Sequence, residues 1–197
     1  MAFLVNEMSK QQKIALIGNP NTGKSSVFNH LTGLRQKVGN FPGVTVERKN
    51  GILKLDGNTE ISVTDLPGTY SLFPTSLDER IVLNVLTNPA DTDFPDAVVY
   101  IADINHLERH SLLLSQIKDL KIPIVLALNM NDIAVQNGIT VDVSKLSALY
   151  DLPIVVVDGR TGSGIPQLKN ELQSVIRSKK FSSIDDSPTL WTASHTK

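Results

Sequence analysis

The chain reads as an α/β domain: a mainly parallel six-stranded sheet with one antiparallel edge strand and helices on both faces. Three observations predict it. Short runs that are apolar throughout alternate with longer amphipathic segments, which is the pattern of strands buried between two layers of helix. Two runs within 43–65 are joined by an Asp56-Gly57 turn, which makes a hairpin and so an antiparallel edge. The first run ends in a glycine-rich loop that opens a helix, a strand–loop–helix unit that suits such a sheet.

The elements follow in order. "KIALIG" (13–18) is a buried strand, and "GKSSVFNHLTG" (23–33) is a helix stopped near Gly33. The hairpin strands lie within "GVTVERKNGILKLDGNTEISVTD" (43–65), and "SLDERIVLNVLTN" (76–88) has helical spacing with a proline just beyond. "DAVVYIAD" (96–103) is a strand; 105–120 is a helix with Leu107, Leu112, Leu113, Ile117 and Leu120 largely on one face. "IPIVLALN" (122–129) is a strand, "DVSKLSALY" (142–150) a helix, "LPIVVVD" (152–158) the last strand, and a helix over 164–179 closes the pattern. The domain is expected to span 13–180, between an arm at 1–12 and a polar tail at 181–197, where Trp191 is read as solvent-facing.

Composition narrows the function. The chain has 197 residues, enough for one domain with a real core. The net charge is −1, so no basic field favours nucleic acid or an anionic membrane surface. Cysteine is absent, which removes disulfides, thiolate metal sites and cysteine catalysis and fits a reducing cytosol. The longest apolar runs are about half of the ~18 residues a membrane span needs. The start "MAFLVNEMSKQQK" lacks the basic region of a signal peptide.

Three motifs carry chemistry. Gly18-x-x-x-x-Gly23-Lys24-Ser25 is the phosphate-loop pattern, placed after a strand and opening a helix. Its glycines let successive backbone N–H groups point at phosphates, and the helix N-terminus adds favourable potential for anions. Lys24 is expected on the β- and γ-phosphates and Ser25 on Mg²⁺. Asp65-x-x-Gly68 follows a strand; the carboxylate suits Mg²⁺ through water, and Gly68 can turn its N–H to a γ-phosphate. Asn129-x-x-Asp132 follows another strand, and an Asp carboxylate accepts from both N1–H and the 2-amino group of guanine, which adenine cannot satisfy. Together, in this order, they make a phosphate-loop GTPase binding GTP and GDP. Thr45 is then the expected switch threonine, on Mg²⁺ and the γ-phosphate. Gly159-Arg160 stands where a base-contacting Ser-Ala pair often stands, so backbone donors remain while the loop gains freedom; nucleotide release is expected to be fast. Asn19, Gly23, Ser26 and Met130 complete the candidate nucleotide-binding set. His106 and His110, four apart, have a metal-chelating spacing without an evident third ligand, and both could face water.

The stretches "ALIGNPNTGKSSVFN", "VGNFPGVTVERKNG", "DLPGTYSL", "DAVVYIAD", "LERH", "VLALNMND" and "GSGI" resemble the cytosolic G domain of ferrous iron transport protein B, over about 13–175. The resemblance implies a role coupled to bacterial Fe(II) uptake at the cytoplasmic face of the inner membrane. The family's helical and membrane domains are not in this sequence. A membrane iron-permease domain is therefore expected as partner, in cis if the chain is a piece of a longer protein or in trans if it stands alone; nucleotide-dependent self-association is a further expectation. The residue after Gly68 is Thr69, too short to orient water as a glutamine would, and Arg48 looks solvated rather than poised as an arginine finger. The resemblance offers K⁺ instead, held by Asn21 and the carbonyls of Gly39 and Phe41, with Asn21, Lys24, Thr45 and Gly68 as the catalytic set. Asn19 is expected to brace the loop locally. Two other functions stay open: a GTPase of ribosome or tRNA maturation, for which no basic or aromatic nucleic-acid surface is evident, and a non-hydrolysing docking module.

Overall fold

The computed structural model describes residues 11–34, 48–55 and 59–179. Thirteen elements follow: strand β1 (Lys13–Ile17), helix α1 (Lys24–Thr32), β2 (Lys49–Lys54), β3 (Glu60–Asp65), α2 (Leu77–Thr87), β4 (Ala97–Asp103), a 3-10 turn (Ile104–His106), α3 (Leu107–Asp119), β5 (Ile124–Asn129), α4 (Asn131–Gln136), α5 (Val143–Tyr150), β6 (Ile154–Val156) and α6 (Ile165–Lys179). The six strands form one sheet in the order β2-β3-β1-β4-β5-β6. All neighbours are parallel except β2 on β3, which run antiparallel with Lys49 opposite Asp65 and Lys54 opposite Glu60. The predicted sheet, with its one antiparallel edge, is therefore the observed one. The Asp56-Gly57 turn, Trp191, and the residues Gly39, Phe41 and Thr45 lie outside the described residues.

Strand alternation sorts the core into two layers. Ile14 and Leu16 of β1, with Val99 and Ile101 of β4, face α1 and α6 through Val27, Phe28, Leu31, Leu168 and Leu172. Ala15 and Ile17, with Val98 and Tyr100, face α2 and α3 through Val82, Leu86, Leu113 and Ile117. The central strands are buried on both faces, which is why their sequences carry no polar alternation.

The structure departs from the sequence reading at four places. On α3 the buried positions are His110, Leu113, Leu114 and Ile117, spaced i, i+3, i+4, i+7, while Leu112 is 59% exposed. Arg48 is not a solvated strand residue. It precedes β2 and its guanidinium holds Asp91 at 2.7 and 2.9 Å and Asp93 at 3.1 Å. The short helix α4 was not anticipated, and the last strand covers only Ile154–Val156.

Candidate functional site

The loops that matter all leave the carboxyl ends of β1, β3, β5 and β6, the end of the sheet at which ligands of this architecture bind, and the winding direction reverses at β1. The β1–α1 loop curls through two left-handed residues, Asn21 (φ 66) and Gly23 (φ 79). This is the backbone form that aims consecutive N–H groups into one concavity. Residue 23 must be glycine twice over, because a Cβ there would sit 2.3 Å from Asn129 Nδ2. Gly68 packs beside the loop, with Pro20 3.0 Å from where its Cβ would be.

Lys24 and Ser25 converge on one carboxylate. Lys24 Nζ lies 2.5 Å from Asp65 Oδ1, and Ser25 Oγ donates to Asp65 Oδ2 at 3.0 Å. Asp65 is 5% exposed, so this carboxylate is neutralised inside the fold by the lysine the sequence assigned to phosphates. A hydroxyl and a carboxylate oxygen this close are hard donors that fit Mg²⁺.

Asn129 is the hub of the site. It is 3% exposed; its Nδ2 donates to Thr22 O at 2.8 Å and its Oδ1 accepts from Gly159 N–H at 2.9 Å. It ties the phosphate loop to the loop after β6, so its side chain binds protein on both sides. Met130 follows in the left-handed region (φ 65), caps α4, and accepts from Asn105 Nδ2 at 3.3 Å. Asp132 stands in the first turn of α4, with Arg160 Nη2 3.3 Å from its Oδ2.

The β6–α6 loop is tighter than its glycines suggest. Asp158 accepts from Arg160 N–H at 2.8 Å and Thr161 N–H at 3.3 Å, and Thr161 Oγ1 donates to it at 2.7 Å. The Thr161 hydroxyl above all, with the backbone N–H groups of Arg160 and Thr161, holds the Asp158 carboxyl below its usual range. Both backbone donors expected on guanine, Gly159 N–H and Arg160 N–H, are thus already engaged within the chain. A Cβ at residue 159 would lie 3.1 Å from Ser26 Cβ and 3.3 Å from Asn129 Nδ2, so the loop gains contact from its glycine rather than slack.

Asn19 turns inward. It is 2% exposed and its Oδ1 accepts from Tyr100 Oη, 3.1 Å away, bracing the loop from beneath; Asn21 stands exposed at the loop's outer side. Thr69 is 1% exposed and its hydroxyl reaches Ser71 O at 2.7 Å and Glu79 Oε1 at 3.2 Å. The two histidines part company: His106 is exposed, with Nδ1 2.8 Å from Asp103 Oδ2, whereas His110 is buried and does not face water. Among the described residues no group of three or more His, Cys, Asp or Glu could hold a metal ion. Sequence reasoning missed Tyr100, Thr22 and Asp158. The first had a signal, a phenol in an aliphatic strand needing a partner, and the last another, an Asp two residues ahead of free N–H groups.

A family model described as "Ferrous iron transport protein B" matches residues 12–172. Among curated proteins, an Fe(2+) transport protein A/Fe(2+) transporter FeoB fusion protein of Porphyromonas gingivalis is 44% identical over 163 residues, 83% of this chain and 19% of that protein. The Fe(2+) transporter FeoB of Leptospira biflexa is 43% identical over 83% of this chain and 23% of that protein. The chain thus spans about a fifth of the length of these relatives. Among solved structures, the FeoB G-domain from Methanococcus jannaschii superposes with TM-score 0.73 at 38% identity, covering 85% of this chain and 99% of that one. A variant of S. thermophilus NFeoB bound to GDP.AlF4- superposes with TM-score 0.76 at 36% identity, covering 85% of this chain and 64% of that one.

Proposed function

The chain belongs to the ferrous iron transport protein B family, and we propose that it is the family's GTP-hydrolysing switch domain, slow in turnover and activated by potassium. The observation that carries this reading is the convergence of Lys24 and Ser25 on Asp65, with Asn129 joining that phosphate end to the base end. Ser25, Asp65 and, beyond the described residues, Thr45 would hold Mg²⁺, which when bound neutralises charge on the phosphates. The lysine exchanges its carboxylate partner for a phosphate when nucleotide enters, Gly68 offers its N–H to the γ-phosphate, and Asp132 accepts the N1–H and 2-amino edge of guanine.

Two features favour an ion over a side chain at the leaving oxygen. Thr69 spends its hydroxyl on Ser71 and Glu79, and Arg48 spends its guanidinium on Asp91 and Asp93. Neither is free to act as a water-positioning group or an arginine finger. Asn21, at the exposed side of the loop, with the carbonyls of Gly39 and Phe41 beyond the described residues, would hold K⁺, which supplies positive charge as an arginine would. The domain would sit at the cytoplasmic face of the inner membrane, serving a membrane iron permease in cis or in trans and self-associating with nucleotide. No described helix is long and apolar enough to cross a membrane.

The test is GTP turnover in matched potassium and sodium buffers. The wild type should be stimulated by potassium, and Asn21→Ala should lose the stimulation while keeping GDP affinity. Equal wild-type rates in the two salts would refute the ion reading.

A further inference from the structure

The base end of the site carries an ion pair between two of the residues assigned to the nucleotide. Arg160 Nη2 stands 3.3 Å from Asp132 Oδ2, with the arginine side chain 75% exposed and the aspartate 31%. The arginine does not reach there by chance of a loose loop. Its N–H is fixed on Asp158 Oδ1, the preceding Gly159 N–H is fixed on Asn129, and Gly162 N–H closes the turn on Asp158 O at 2.8 Å. The backbone from which the side chain springs is therefore set, and the side chain lies over α4 toward its acidic first turn.

The chemistry of the pair is specific. A guanidinium presents N–H donors on a planar N–C–N fork. The edge by which guanine is read, N1–H beside the 2-amino group, is the same N–C–N fragment with the same donors. Arg160 thus holds at Asp132, through Nη2 3.3 Å from Oδ2, one donor of the kind of fork that guanine presents. Resting on the reading of Asp132 as the guanine acceptor, we propose that Arg160 is a specificity-determining residue that stands in for guanine on Asp132 in the empty site and must be displaced when nucleotide enters. A base with both donors recovers for Asp132 what it loses with the arginine. Hypoxanthine, with N1–H alone, displaces it less completely, and adenine has no donor with which to compete.

An exposed ion pair shifts a competing equilibrium only modestly, about two- to fivefold, and salt screens it. Arg160→Ala should accordingly bind GDP about two- to fivefold more tightly at low ionic strength. The gain should lie in the association rate, because the arginine occupies the empty site, and dissociation should change little. The gain should be smaller for IDP than for GDP and should vanish in about 0.5 M salt. Fluorescent-nucleotide binding by stopped flow, on the full chain, with GDP and IDP at low and high salt, reads each of these. The same substitution in an Asp132→Asn background, assayed with XDP, should change nothing. Weaker GDP binding by Arg160→Ala, or an equal gain in the Asp132→Asn background, overturns the proposal. Retained guanine preference in Asp132→Asn alone overturns instead the reading of Asp132 beneath it.

Discussion

Asn129→Ala should separate the two ends of the site and weaken the fold at once. The amide is 3% exposed, and truncation leaves Thr22 O and Gly159 N–H without the partners at 2.8 and 2.9 Å. A buried polar group stripped of its partner costs roughly 1–3 kcal/mol. Two such groups, with some relief as water enters the space, come to about 2–4 kcal/mol, a large share of the ~5–15 kcal/mol that keeps a domain folded. At a urea slope of about 2 kcal/mol per molar, the midpoint should fall by about 1–2 M. Nucleotide affinity should fall for GDP, IDP and XDP alike, because the tie between the phosphate loop and the base loop is lost rather than a contact to one base. Asp132→Asn is the contrast: its midpoint should hardly move, while preference passes from guanine to xanthine. Urea unfolding followed by tryptophan-independent circular dichroism, with parallel binding titrations, measures both. An Asn129→Ala protein with an unchanged midpoint and lost guanine preference alone would show that the side chain reads the base and would refute this account.

Arg48→Ala leaves Asp91 and Asp93 facing each other without their cation and should cost about 2 kcal/mol in urea unfolding; stability equal to wild type would show the pair to be inert. Burial pushes the His110 imidazole below its ordinary 6.5, with Asp103 opposing and His106 and Arg109 adding to the effect. A folded value below the unfolded one means that the unfolded chain takes the proton first, so this contribution is whole above about pH 6.5 and is lost as pH falls through the lowered value. The melting temperature should drop from pH 7.5 to 5, and His110→Leu should flatten that limb; parallel profiles would exclude His110 as the cause. Thr69→Ala removes a buried hydroxyl from Ser71 and Glu79 and should cost about 1 kcal/mol in unfolding while GTP turnover stays near wild type; a collapse in turnover at retained stability would give Thr69 a direct part in hydrolysis.

What the sequence disclosed and what it hid divide along sequence separation. The strands, the phosphate loop and the order of motifs were legible because each rests on local pattern: continuous apolar runs, glycines before a helix, a carboxylate at a strand end. Helix α4 was hidden because six residues, "NDIAVQ", cannot display a period. Leu112 hides its place because it sits among leucines that share a face; the i, i+3, i+4, i+7 pattern from His110 admits a histidine and leaves Leu112 out. The inward turn of Asn19 onto Tyr100 joins residues 81 positions apart, the double tie of Asn129 residues 107 and 30 apart, and the pairing of Arg48 with Asp91 residues 43 apart. No local pattern encodes such contacts, since they exist only once the six strands have assembled into one sheet.

An open sheet has two edges, and an unpaired strand edge is a template on which a second chain can grow. Here each edge discourages it differently. Among the described residues β2 forms one edge, and it carries Lys49 and Lys54 exposed on opposite faces, charges that disfavour a further strand there. On the other side β6 offers three residues, too few ladder positions to hold a partner. Concentrated solutions of the domain should therefore resist fibre formation and strand exchange, and any contact between copies that is to respond to nucleotide is better served by the loops at the carboxyl ends of the strands than by a longer sheet.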